Sequence, residues 1–182
     1  KKKKNSSGYW NNTAPTSTQF TVGTSSNANA SGGTYVAYLF AHNNNDGGFG
    51  EPGDQDIIKC GTYTGVSATE ISVDLGFEPQ FIMIKRATGS SLGVYASWFV
   101  QDVMRGMAAK DGTDFKDKIL YWNKTQGEGY RGNGGSTSTE IQVRPNATGF
   151  TVPSTNSVEV NQAKETYIYM AIRRGGMQTP TA

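Results

Sequence analysis

Proton transfer and nucleophilic attack need side chains that titrate or attack near neutral pH, and this 182-residue chain holds one histidine, His42, and one cysteine, Cys60. His42 stands beside Asn43, Asn44, Asn45 and Asp46, with no nucleophile elbow elsewhere to complete a Ser/His/Asp triad, so it reads as a solvated loop histidine. Cys60 falls inside a strand pattern and reads as a small buried thiol, with no second cysteine for a disulfide. One Cys and one His do not make a conventional zinc site. Asp46, Glu51, Asp54 and Asp56 crowd one loop and offer oxygen ligands to a cation such as calcium. Their spacing departs from the EF-hand pattern, and a polar loop is the expectation. Carboxylate pairs for glycoside hydrolysis arise by accident in any such chain, and none is singled out here. Gly48-x-Gly50-x-x-Gly53 and Gly127-x-Gly129-x-x-Gly132 spell a dinucleotide fingerprint but do not open a helix in a βαβ unit, the context phosphate binding requires. The expectation is a protein that is not an enzyme and takes no cofactor and no metal.

Binding by ring stacking remains. Tyr9, Trp10, Tyr63, Tyr121, Trp122 and Tyr130 have flat apolar faces with polar tips that suit sugars. Trp10, Trp122 and Tyr130 are the candidate glycan contacts. Against this, Tyr9-Trp10-Asn11-Asn12-Thr13 is answered by Tyr121-Trp122-Asn123-Lys124-Thr125, and a feature repeated at equivalent places of a scaffold points to packing. Asn11, Asn123 and Asn146 open Asn-x-Thr sequons, which carry meaning only in a glycosylating pathway.

The elements that must position these groups are strands. The two densest apolar runs are Thr34-Tyr35-Val36-Ala37-Tyr38-Leu39-Phe40-Ala41 and Thr166-Tyr167-Ile168-Tyr169-Met170-Ala171-Ile172-Arg173, both short, rich in β-formers and bounded by polar loops. Phe20-Thr21-Val22 precedes the first run and Phe150-Thr151-Val152 the second. Asn29 and Asn161 each lead, at the same spacing, into Thr-Tyr. The chain therefore reads as the end of one repeat (9–41) followed by a complete one (42–174), offset by about 130 residues. Tyr35 is expected to superpose on Tyr167, and Phe20 on Phe150.

Residues 1–8 read as a disordered or tag-like tail, and 9–30 as two short strands joined by turns. A long loop, 42–56, follows the first core run. Strands are expected over Asp56–Thr64, Glu70–Leu75, Phe81–Arg86 and Tyr95–Gln101, with Trp98 and Phe99 on opposite faces and both faces of Phe81–Ile84 covered. Lys85-Arg86 marks the point where its strand emerges, and Asp102 with Arg105 closes a turn. Asp114–Trp122 is the one candidate helix, with Phe115, Ile119 and Trp122 along one side. A second loop (126–138), strands at Glu140–Arg144, Gly149–Pro153 and Thr166–Arg174, and a polar tail (175–182) complete the order. The fold class is all-β: an antiparallel β-sandwich, jelly-roll or lectin-like, with internal duplication, long Gly/Asn-rich loops and at most one short helix.

Composition agrees, since charged residues are sparse and Gly numbers 23. The formal charge of +2 comes from the Lys1–Lys4 block; without it 13 of the 17 basic residues face 15 acidic ones, a balance of −2. A body of that kind is not a nucleic-acid surface. No apolar run reaches the ~20 residues of a membrane span, and no export segment is expected.

Thr34–Ala41, the block Ile57–Gly65 (IIKCGTYTG), and Leu75–Arg86 (LGFEPQFIMIKR) together resemble an uncharacterised β domain of tailed-phage virion proteins, notably marine phage tail and fibre proteins. Trp98 with Asp102 and Arg105-Gly106, then Gly149-Phe150 and Thr166–Arg174, continue the likeness over residues 9–174. The resemblance implies a virion structural or host-attachment role, as a homo-oligomer among other virion proteins on the particle surface, with a host surface glycan as a further partner. It implies no catalytic residue. Such domains sit within longer chains, which implies that this one is a fragment. A carbohydrate-binding module, or a capsid decoration protein or extracellular filament subunit, is the alternative.

Overall fold

In the computed structural model the described residues are 7–16, 18–40, 57–89, 97–107, 118–125, 127, 129–130, 143–154 and 159–175, without the side chains of 118, 129 and 130. The chain divides into two compact units, Lys1–Phe40 and Ala41–Ala182.

The described residues of unit 2 form nine strands: β1 (Ile58–Thr64), β2 (Ile71–Asp74), β3 (Pro79–Arg86), β4 (Phe99–Asp102), β5 (Lys118–Tyr121), β6 (Gly129–Tyr130), β7 (Arg144–Asn146), β8 (Gly149–Val152) and β9 (Thr166–Arg173). They form two antiparallel sheets, β1-β9-β3-β4-β5-β6 and β2-β8-β7. The architecture is all-β and sandwich-like, with no closed barrel among the described residues.

The period of two in the sequence places the core. In β2, Val73 is buried while Ser72 and Asp74 are exposed. Its partner β8 buries Phe150 and Val152 in register with Val73 and Ile71. From the larger sheet Tyr63, Ile82, Ile84, Phe99, Ile119, Tyr167, Tyr169 and Ala171 join the same cluster. Rings set its centre. Tyr63 stacks on Tyr167 at 5.1 Å and meets Phe150 edge-on at 6.3 Å, and Phe150 meets Tyr169 edge-on at 5.3 Å. Gly61 pairs with Tyr169 across β1 and β9, and a Cβ there would run into the Tyr169 ring. Burial raises the phenol pKa values of Tyr63, Tyr167 and Tyr169, most strongly that of Tyr63.

Polar groups inside are held in turn. Asn161, 0% exposed, accepts from the backbone N–H groups of Val66 (2.8 Å) and Ser67 (3.1 Å) and donates to the carbonyls of Thr69 (3.1 Å) and Pro153 (2.9 Å). One amide thus ties the β1–β2 connection and the exit of β8 to the approach of β9. The Tyr63 hydroxyl donates to Val160 O at 2.7 Å.

Several expectations hold. The strands over 58–64, 71–74, 79–86, 149–152 and 166–173 lie where the alternation put them. Ile82, Met83 and Ile84 are all buried, Phe99 lies in the inter-sheet core, and Trp98 packs on the opposite side. Asp102 caps the 3₁₀ turn Val103–Arg105, accepting from Arg105 N at 2.9 Å and from Arg105 Nε at 2.6 Å.

Others are corrected. Lys118–Tyr121 is strand β5, not part of a helix, because Ile119 faces the core and Leu120 the opposite side of the sheet. The rest of the expected helix before it, 114–117, lies outside the described residues. Arg86 does not emerge: it is buried and pairs with Glu165 at 3.1 Å, while Thr88 Oγ1 donates to Glu165 at 2.7 Å. Unit 1 contains no strand among its described residues, but two four-residue helices, α1 (Ser7–Trp10) and α2 (Ser26–Asn29, capped by Ser25), where at most one helix in the whole chain was expected. Thr34–Phe40 is likewise no strand. Its Tyr35 is 48% exposed, while the counterpart Tyr167 is 0% exposed. A strand exists only with a lateral partner for its N–H and C=O groups, and this run has none among the described residues of its unit.

Candidate interaction face

The face of the larger sheet turned away from the core is apolar as well. Register across five strands aligns Cys60 with Met170, Met170 with Met83, Met83 with Val100 and Val100 with Leu120. A neighbouring row aligns Ile58, Ile172 and Phe81 and ends at Asp102. Met83, Val100 and Met170 are buried, with Ile58, Cys60, Phe81, Trp98 and Leu120 packed on them. Such a double-sided strand pattern is what the continuous run Phe81–Ile84 encodes.

Aromatic groups edge this face. Trp98 lies beneath the Lys85 ammonium, 4.9 Å from the ring centroid, a cation–π contact. Trp122 follows β5 and its N–H donates to Trp98 O at 3.2 Å, while the Asn123 side chain accepts from Trp98 N at 2.8 Å. The Trp122 ring is 52% exposed and tilts against Phe81 at 5.8 Å. This side of the sheet therefore has an aromatic rim and the Lys85 ammonium beside an apolar row whose centre, Met83, Val100 and Met170, is already buried. Desolvation raises the Cys60 thiol above its ordinary 9.0, which keeps it protonated at neutral pH and favours packing over nucleophilic attack.

Trp10 ends α1 in unit 1 and is half exposed, whereas Trp122 belongs to unit 2. The backbone of Tyr130 pairs with Lys118 in β6. The structure thus assembles an aromatic group around Trp122 from Phe81, Trp98 and Lys85, residues that the repeat-based reading of the aromatics passed over. Their signal was present in the second apolar set of β3 and β4. Asn146 is engaged locally, accepting from Thr148 N at 3.1 Å and donating to Thr151 Oγ1 at 3.3 Å. His42 and the acidic loop 46–56 lie outside the described residues. Among the described residues no group of three or more His, Cys, Asp or Glu is placed to hold a metal ion, and no helix is long and apolar enough to cross a membrane.

A family model for a domain of unknown function, DUF7483, matches residues 1–174. The chain belongs to the DUF7483 family. The DUF7483 match takes in the described residues of both units, including the Thr34–Phe40 run, the aromatic rim and β9. No curated protein and no solved structure matches the chain.

Proposed function

We propose that the chain is a structural component of a phage virion, in the tail or a fibre, and that it binds its neighbours at the edge of the six-stranded sheet around Trp122. The observation that carries this reading is the Trp122 ring, 52% exposed beside Phe81, since Met83, Val100 and Met170 of the apolar row are already buried within the chain. An exposed tryptophan is the residue type that anchors contacts between subunits. The likeness of Ile57–Gly65, Leu75–Arg86 and Thr166–Arg174 to phage virion β domains supports the setting. Light scattering tests it: a homo-oligomer is expected, and Trp122→Ala lowers its mass while leaving the circular dichroism spectrum unchanged. A wild-type monomer at tens of micromolar sinks the proposal.

A glycan-binding role is the second reading, favoured by the exposed Trp122 ring beside Asn123. It predicts glycan-array signal that Trp122→Ala removes. An array without signal disposes of it.

A further inference from the structure

The approach to Thr34–Phe40 repeats, atom for atom, the approach to β9. Asn29 Nδ2 donates to Gly23 O at 2.9 Å, as Asn161 Nδ2 donates to Pro153 O at 2.9 Å. Ala30 N donates to the Tyr35 hydroxyl at 2.7 Å, as Gln162 N donates to the Tyr167 hydroxyl at 2.8 Å. Gly33 N donates to Ala30 O at 3.0 Å, as Glu165 N donates to Gln162 O at 3.2 Å. Gly32 at φ 73° and Lys164 at φ 66° take the same left-handed turn position, which a lysine adopts only where its surroundings impose it. Four independent correspondences at one spacing identify one turn written twice.

The two turns then feed different surroundings. In unit 2 the turn delivers β9 between β1 and β3, where it is bonded on both edges and covered on both faces. In unit 1 the same turn delivers Thr34–Phe40 with Val36, Tyr38 and Leu39 each more than 70% exposed. Alternation gives this run two apolar faces, Tyr35, Ala37 and Leu39 on one and Val36, Tyr38 and Phe40 on the other. That pattern belongs to a central strand, not to a solvated arm.

We infer that Thr34–Phe40 is a donor strand preformed by its turn, and that its partner is a pair of strands of the β1 and β3 type, each running antiparallel to it, carried by another domain of this family. The structure shows what flanks the counterpart of this run, since β1 and β3 pair with β9 on its two edges. Side-chain size specifies the partner further. Ala37 stands where β9 has Tyr169, the ring that Gly61 makes room for, and Leu39 stands where β9 has Ala171. The inner face of the donor is thus smaller near its middle and larger toward its end, a redistribution that a core accommodates when total volume is kept. The inference stands apart from the virion reading and holds whatever particle the chain belongs to.

The test uses the full chain with Thr34–Phe40 copied in place of Thr166–Ile172. Cooperative unfolding is expected, with the amides of the transplanted run protected from exchange at least tenfold more than those of the same run in unit 1. Ala37→Pro in the transplanted copy alone removes an N–H from the strand and abolishes that protection. Loss of cooperative unfolding on transplantation overturns the inference, and so does protection indifferent to Ala37→Pro.

Discussion

Replacing Asn161 with alanine leaves three backbone groups without that partner, Val66 N, Thr69 O and Pro153 O, while Ser67 N keeps its bond to the Asn161 backbone O at 3.0 Å. Each lost hydrogen bond contributes about 1 kcal/mol net, so the loss is about 3 kcal/mol. For a domain of this size that lowers the melting temperature by about 6–12 °C. The side chain is fully enclosed, so water does not reach the vacated position without opening the lead-in to β9. Thermal unfolding followed by circular dichroism measures the shift, and hydrogen exchange of the Val66 amide locates it. Asn29→Ala in unit 1 removes the corresponding bond to Gly23 O from a half-buried turn and costs about 1 kcal/mol or less. A loss below about 1 kcal/mol for Asn161→Ala refutes the reasoning, because it means the three groups find other partners at no cost.

Gln101, 1% exposed in β4, has neither amide atom hydrogen-bonded, and Gln101→Met is expected to raise stability by about 1 kcal/mol in chemical denaturation. A loss of stability contradicts it. The buried tyrosines set an alkaline limit: the unfolded phenols ionise near 10.0, whereas Tyr63, Tyr167 and Tyr169 titrate higher in the folded state. Their contribution is complete below pH 10 and is lost as pH rises through the folded values, so the melting temperature falls above pH 10. Phenolate absorbance, compared with single Tyr→Phe variants at 63, 167 and 169, is expected to show these three phenols titrating above pH 10 in the native protein, and their titration near pH 10 rules this out.

Alternation was enough to find β2, because Val73 and its polar neighbours obey a period of two within one strand. It was enough for β3 and β9 as well, where apolar residues on both faces announce burial on both sides. β5 escaped because four residues carry little period, and Phe115, Ile119 and Trp122 happen to share helical spacing. Arg86 escaped for a different reason: its partner Glu165 arrives from β9's lead-in, far along the chain, so a residue that looks like a strand exit is an interior ion pair. The error at Thr34–Phe40 is the most instructive. Local sequence specifies what a strand wants to touch, whereas pairing depends on whether the partner strands are there. The turn before it was fully legible as an echo of Asn161–Tyr167, although the bonds that make it an echo are visible only in three dimensions. The aromatic rim around Trp122 was half legible, with Trp122 noticed as a ring and Phe81, Trp98 and Lys85 noticed only as strand residues.

The position of β9 has a kinetic consequence. Among the described residues it is the last strand of unit 2 in sequence, and it lies in the interior of the larger sheet, hydrogen-bonded to β1 on one side and β3 on the other. During synthesis β1 and β3 must wait, side by side but unzipped, until the ribosome has released Arg173. Closure then fixes the most distant contacts of the domain at once, which places its folding in the slow, millisecond-to-second range of non-local β proteins. For that interval the nascent domain displays an open slot that any strand of suitable pattern can enter, and its quickest protection is the prompt arrival of its own last strand.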